Sequence, residues 1–127
     1  MRRFTMITAI TGALALIATA VAIAAVNWTI TLKPSTSWPK ATGSSQYQSQ
    51  GSQRELQVEV EHLKALAGQH VNVFVNGSKW ASPAVSSLGI AQVDKNTDRG
   101  QSVPTISHGS TVRVRTTSGT LIAGGTY

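Results

Sequence analysis

The sequence predicts an all-β domain, a small two-sheet sandwich of about six strands, preceded by an N-terminal hydrophobic helix and a flexible linker. Three observations predict it. Apolar and polar residues alternate with a period of two over short runs in the second half of the chain. Glycine-bearing turn signals separate those runs, and the chain opens with two arginines followed by an uncharged stretch. The 127 residues accordingly divide into an export segment (1–26), a Ser/Gln/Gly-rich linker (27–54) and a β domain (55–127).

Arg2 and Arg3 precede an uncharged run from Phe4 to Val26, and no acid stands close behind it. This is the pattern of an export signal that keeps its N-terminus in the cytoplasm and delivers the rest of the chain to the outside. The run of 23 residues is long enough to span a membrane as an uncleaved anchor, since spanning takes roughly 20 residues and a signal-peptide core only about 7 to 15. Ala22-Ile23-Ala24 nevertheless forms an acceptable small-x-small cleavage site, so secretion after cleavage near Ala24 is the second reading. Trp28 would sit in the interfacial aromatic belt of an anchored form. Cysteine is absent, which excludes thiol chemistry, disulfide staples and a lipid-modified anchor and suits a bacterial export stabilised by packing alone.

Pro34 to Gln53 is rich in Ser, Gln, Gly, Thr and Pro and poor in aliphatics, the composition of a spacer that buries too little apolar surface to order itself. The charge obeys the same division. Residues 1–54 carry Arg2, Arg3, Lys33, Lys40 and Arg54 with no acid, whereas residues 55–127 carry six basic side chains against Glu55, Glu59, Glu61, Asp94 and Asp98. The sequence pI near 10.4 therefore reflects the export segment and linker, and a nearly neutral domain argues against nucleic acid as a partner.

Leu56, Val58 and Val60 alternate with Gln57, Glu59 and Glu61; Val71, Val73 and Val75 alternate with Asn72, Phe74 and Asn76; Val112 and Val114 alternate with Arg113 and Arg115. Such alternation describes strands with one buried face. Asn76-Gly77 is a strong hairpin signal because both turn residues tolerate positive φ, and Leu88-Gly89 and Ser118-Gly119 mark further turns. The strands are expected near 55–63, 70–76, 79–86, 90–95, 110–116 and 120–127, with a longer loop from Asn96 to Gly109. Pro83 lacks an N–H for a ladder, so its strand belongs at an edge or carries a bulge. Leu63 to Gly68 has room for one helical turn. A two-sheet sandwich accommodates this arrangement, and a partly open barrel is the alternative.

The run Asn72-Val73-Phe74-Val75-Asn76-Gly77, then Thr97-Asp98-Arg99-Gly100, Val103-Pro104, Gly109-Ser110-Thr111-Val112 and Gly125-Thr126-Tyr127, resembles small immunoglobulin-like β-sandwich modules of exported bacterial proteins. The resemblance covers about residues 56–127 and rests on turn and strand residues. It implies a fold and export, with no activity or site residues attached.

The candidate chemistry is sparse. Asp94, Asn96 and Asp98 place oxygen ligands at alternate positions, as calcium loops do, but Arg99 stands where an EF-hand has its glycine and Thr105 where it has its acid. Turn acids and amides more often bond their own backbone, so no metal or cofactor is expected. His62, His70 and His108 lack ligand spacing, and His62 is in phase with the buried face of its strand. Glu59 and Glu61 belong to a polar strand face, as do Arg113 and Arg115; neighbouring strands would join the four charges in a weak cross-strand network.

Catalysis needs a nucleophile with an oriented base or a pair of differentiated carboxylates, and neither is visible. The chain is expected not to be an enzyme. Recognition is better supported: Phe74 breaks the alternation of its strand and Trp80 stands just past the hairpin, and exposed aromatics give large contact area at small entropy cost. The expected function is a non-catalytic binding or structural module of the cell envelope or exterior, displayed on a flexible stalk, with a protein, glycan or wall partner and a membrane contact through residues 4–26. Alternatives are a small calcium-binding secreted domain or a type IV pilin-like filament subunit. Phe4-Thr5-Met6-Ile7 is similar to a pilin start, but Arg3 replaces the leader glycine, Thr8 the mature glutamate, and Pro34 interrupts the long helix.

Overall fold

Period-two alternation extends further towards the N-terminus than the division at residue 55 allows. The computed structural model of the protein describes residues 25–127, and the alternation of Val26, Trp28, Ile30 and Leu32 with Asn27, Thr29, Thr31 and Lys33 forms its first and longest strand, β1 (Ala25–Pro34). After it come β2 (Thr42–Gln50), β3 (Gln53–Glu61), β4 (Val71–Val75), β5 (Ser78–Ala81), β6 (Ala91–Asn96), β7 (Thr111–Thr116) and β8 (Leu121–Thr126). Among the described residues the protein is all-β, as its pattern requires. The apolar run that ends in Val26, its cleavage site and the pilin-like start lie outside the described residues except for Ala25 and Val26, which belong to β1. Among the described residues no helix is long and apolar enough to cross a membrane.

All six expected strands form within a few residues of their predicted limits, but residues 27–54 are not a spacer. They supply β1, β2 and the start of β3, and β1 pairs with β2 over eight consecutive positions from Ala25↔Gln50 to Leu32↔Gly43. The composition of β2 hides its strand character because its inward positions are Gly43, Ser45, Tyr47 and Ser49. Ser45 is fully buried and shares a 2.7 Å hydrogen bond with the Tyr127 hydroxyl, so a polar residue occupies a core position with its bonding capacity met. Burial raises the Tyr127 pKa above its ordinary 10.0.

The strands form one antiparallel sheet of order β5-β4-β7-β8-β1-β2-β3-β6, curled into a near-barrel, in place of six strands in two separate sheets. β1 makes the difference. Most of its length pairs with β2, while its last residues, Lys33 and Pro34, pair with Gly124 and Ala123 of β8 and so join the two halves. Ser35 extends the joint: its N–H donates to Ile122 O at 2.8 Å and its hydroxyl to Leu121 O at 2.6 Å.

The enclosed core is built from Leu32, Tyr47, Leu56, Val58, Val60, Val71, Val73, Val112, Val114 and Ile122, supplied by β1, β2, β3, β4, β7 and β8. Leu63 adds to it because the chain turns over at His62, whose φ is 68°. His62 is therefore exposed, contrary to its phase in the strand, and Leu63 takes the buried place. A single 3₁₀ turn, Lys64–Leu66, comes next. Asn76 and Gly77, with φ of 51° and 83°, make the β4–β5 hairpin. The loop after β6 contributes Val103 and Ile106 to the core.

The two ends of the sheet order, β5 and β6, face each other across the gap of the barrel. Pro83 ends β5 early, at this edge, and its carbonyl accepts from Val71 N at 3.0 Å. Beyond it Val85 bridges to Ala91, and Ser86 N donates to Ile90 O at 2.9 Å. At the other end of the gap Lys95 Nζ donates to Trp80 O at 3.0 Å. These contacts leave little free edge for pairing with another chain.

Because β1 and β2 stand in the middle of the sheet order, residues 55–127 expressed alone are expected to give a disordered or aggregated chain, whereas residues 25–127 melt cooperatively. Circular dichroism melts of the two fragments check this, and a sharp transition in the shorter one would refute the role given to β1 and β2.

Candidate functional site

The outer face of the β4-β7-β8 region is set by the same alternation that fills the core. With Val71, Val73 and Val75 inside, Asn72 and Phe74 point outwards; with Val112 and Val114 inside, Thr111, Arg113 and Arg115 do. Phe74 lies opposite Arg113 on one side and Lys79 on the other, and Arg113 lies opposite Gly124, which in turn pairs with Lys33. Lys33, Gly124, Arg113, Phe74 and Lys79 thus form one row across five strands. Arg115, two residues along β7, faces Asn72 and is steadied by donation from its Nη1 to Gly119 O at 3.1 Å.

The surface on either side of Arg113 is concave. One depression of about 240 Å³ is lined by Phe74, Gly77, Thr111, Arg113 and Arg115. The other, about 470 Å³, is bordered by Lys33, Ser35, Leu121, Gly124 and Arg113. Gly124 keeps the second open: a β-carbon there would stand 3.3 Å from Arg113 Cγ and 3.2 Å from Val112 O. Phe74 is half-buried, on the outside of the barrel, as its break in the alternation suggested.

Trp80 occupies a different environment. It packs against the core from the gap between β5 and β6, donates its indole N–H to Ser102 O at 2.9 Å, and lies 5.1 Å from Lys95 Nζ in a cation–π contact. Phe74 and Trp80 therefore do not form one surface: Trp80 closes the barrel, and Phe74 faces outwards.

The expected charge network across neighbouring strands does not form. Glu59 lies opposite Ser44 and Gln92, while Arg113 lies between Phe74 and Gly124; three strands, β8, β1 and β2, separate β7 from β3 in the sheet order. The charges are segregated instead. All five acids stand on β3, β6 and the 3₁₀ turn Thr97–Arg99, and the face around Phe74 bears Lys33, Lys79, Arg113 and Arg115 without an acid. Nor is the folded part nearly neutral. Of the eleven Lys and Arg only Arg2 and Arg3 precede residue 25, so residues 25–127 carry nine basic side chains against five acids.

Asp94, Asn96 and Asp98 are occupied with their own loop. Asn96 Oδ1 accepts from Asp98 N at 2.8 Å, Gly100 closes the 3₁₀ turn in the left-handed region, and Arg99 pairs with Asp94 Oδ1 at 3.5 Å. Among the described residues no group of three or more His, Cys, Asp or Glu is placed to hold a metal ion. Asp94 also shares a hydrogen bond with Glu55, the main reason that the Glu55 carboxyl titrates above its ordinary 4.5; the Gln57 amide, donating to Glu55 Oε2 at 3.2 Å, opposes the shift. His70 lies 2.7 Å from Ser82 O, and His108 stacks on Trp28 at 4.6 Å. An aromatic cluster of Trp28, Tyr47 and Tyr127 is hidden in the sequence because Trp28 and Tyr47 fall in the expected anchor belt and linker.

Comparison with protein-family models, with curated proteins and with solved structures finds no match to this chain.

The acidic side yields two expectations. The folded state holds the Glu55 proton more tightly than the unfolded chain, so its contribution to stability is present below the unfolded pKa and fades as pH rises through the folded one. Glu55→Gln is accordingly expected to raise the melting temperature slightly at pH 7 and to leave it unchanged near pH 4, as read by thermal melts at both values. Calcium at millimolar concentration is expected to leave the wild-type melt in place; an upward shift abolished by Asp94→Ala would promote the loop to a metal site.

Proposed function

We infer that the protein is an exported, non-catalytic module of the cell envelope or exterior, and that it binds its partner through the outer face around Phe74, Arg113 and Arg115. The observation that carries this reading is the position of Phe74, an aromatic ring on the outside of a sheet whose other aromatic strand residues pack against the core, between two cations and beside a depression. A ring of this kind adds contact area, and the flanking guanidinium groups add directional donors, the two side-chain types that contribute most at interfaces. Export rests on Arg2, Arg3 and the apolar run after them. The resemblance to small β modules of exported bacterial proteins supports the same reading. The stalk is no part of it, since residues 27–54 belong to the barrel, and the module begins where the apolar run ends.

Phe74→Ser is expected to cost about 1 kcal/mol of stability or less, as outer-face substitutions do, against roughly 2 to 3 kcal/mol for Trp80→Ala, which opens the core at the gap. The functional test is sedimentation of the full chain, held in a non-ionic detergent, with detergent-washed cell envelopes, so that the apolar run cannot carry it into the pellet. Wild type should co-sediment, and Phe74→Ser should remain largely in the supernatant with its melt nearly unchanged. Equal sedimentation of the two would remove Phe74 from the binding surface.

A further inference from the structure

The row of cations beside Phe74 indicates a ligand class, an inference that rests on the binding reading above. The geometry points to an acidic polysaccharide, a chain of sugars with regularly spaced carboxylates or phosphates, lying across strands β1, β8, β7, β4 and β5 with Arg113 at the centre of its track.

The spacing of charges supports a linear ligand. Strands in a sheet lie about 4.8 Å apart, so Lys33 and Arg113 stand about 10 Å apart at the backbone, as do Arg113 and Lys79, and Arg115 is about 7 Å from Arg113 along the strand. This is a line of single cations with gaps between them, suited to an anion that recurs along a chain. The two depressions share Arg113 as a common wall, and together they make one shallow track across the face. The guanidinium fork of Arg113 matches a carboxylate or phosphate in bidentate fashion. The half-exposed amide of Asn72 and the hydroxyls of Thr111 and Thr126 lie on the same face, where they meet sugar hydroxyls. Among the described residues the ion pair formed is Arg99 with Asp94, at β6 and the 3₁₀ turn after it, so the four cations of the track are not neutralised from within.

Other anionic partners fit this face less well. Single-stranded nucleic acid is gripped by stacking successive bases on several aromatic rings, and the track bears only Phe74. An anionic membrane surface is held by cations together with apolar side chains that enter the lipid; the apolar groups of the track, Phe74 and Leu121, are both half-buried, and among the described residues the large apolar side chain that is freely exposed, Leu88 at 69%, lies in the turn before β6 and away from the track. A second copy could place its acidic side on the track, but Glu55, Glu59 and Glu61 alternate along β3 with core residues and are flanked by Gln46, Gln48, Gln57 and Gln92, which dilutes that charge. The acidic side has another effect: it repels a polyanion from the opposite surface and confines it to one face of the barrel.

The test uses the full chain in a non-ionic detergent and fluorescence anisotropy with labelled polygalacturonate, with polyphosphate, oligothymidine and neutral dextran as competitors. Polygalacturonate should bind, more weakly as salt rises from low to physiological strength because bound counterions are released. Arg113→Gln with Arg115→Gln should weaken binding by about tenfold or more, while Glu59→Gln with Glu61→Gln leaves it unchanged or tightens it, all with wild-type melts. Polyphosphate or oligothymidine competing better than polygalacturonate would overturn the ligand class, as would polygalacturonate binding that is indifferent to the arginine pair. Concentration-dependent association in light scattering that the arginine substitutions abolish would give the track to a second copy instead. If dextran binds as well as polygalacturonate, and Phe74→Ser weakens both, the acidic ligand falls and the binding face stands. If Phe74→Ser changes neither polymer binding nor envelope sedimentation, the binding face itself falls.

Discussion

The pairing of β1 with both of its neighbours is the constraint on which this fold depends. A strand of ten residues is long enough to hydrogen-bond β2 along most of its length and still reach β8 with its final residues. Without that reach the molecule would be two four-stranded sheets with β8 and β1 left as open edges; with it, the halves curl around one core. The joint is narrow, two ladder positions and the two bonds of Ser35, and the packing of Leu32 beneath it ties the backbone bonds to the buried interior. Gly125 fits the same corner: a β-carbon there would press on Thr31 O and on the side chains of Ile30 and Leu32 at 3.0 to 3.2 Å.

Where the two faces of a strand differ in polarity, the sequence is sufficient to identify it, as with β3, β4 and β7 and the Asn76-Gly77 hairpin between β4 and β5. The pattern fails where a neighbour changes the meaning of a residue. β1 is masked by the apolar run because its first residues, Ala25 and Val26, are also the last of that run and its alternation starts where the run stops. β2 has the composition of a spacer because its core positions include Gly43 and Ser45, and a buried serine is acceptable only when a distant hydroxyl, here that of Tyr127, satisfies it. Of the candidate surface, Phe74 is visible as a break in alternation, but the cations that surround it are not. Lys33 is 41 residues from Phe74 in the chain, and only the order of strands places them in one row.

That strand order also determines the electrostatics. Arg113 and Arg115 have the same spacing as Glu59 and Glu61, and were they neighbours the charges would cancel locally. Three intervening strands keep them apart, so a chain whose folded part carries nine basic and five acidic groups presents a positive side and a mixed, acid-bearing side. The core does not require this distribution, since Lys33, Lys79, Arg113 and Arg115 and the glutamates of β3 point away from it. It is a property of the surface, and it provides the physical basis for a face that discriminates among partners by charge.

The entry of the chain into the barrel at Ala25 has a mechanical consequence. If the residues before it are held in a membrane while a partner is pulled away, tension enters along the axis of β1. Its eight-position ladder with β2 runs parallel to that pull, so the hydrogen bonds are strained together in shear and do not open one after another like a zip. Resistance to such a force is governed by the rate of unfolding and not by equilibrium stability. A small cysteine-free domain could therefore be modestly stable in solution and still hold its shape under tension, provided that the tension is applied at this end of the chain.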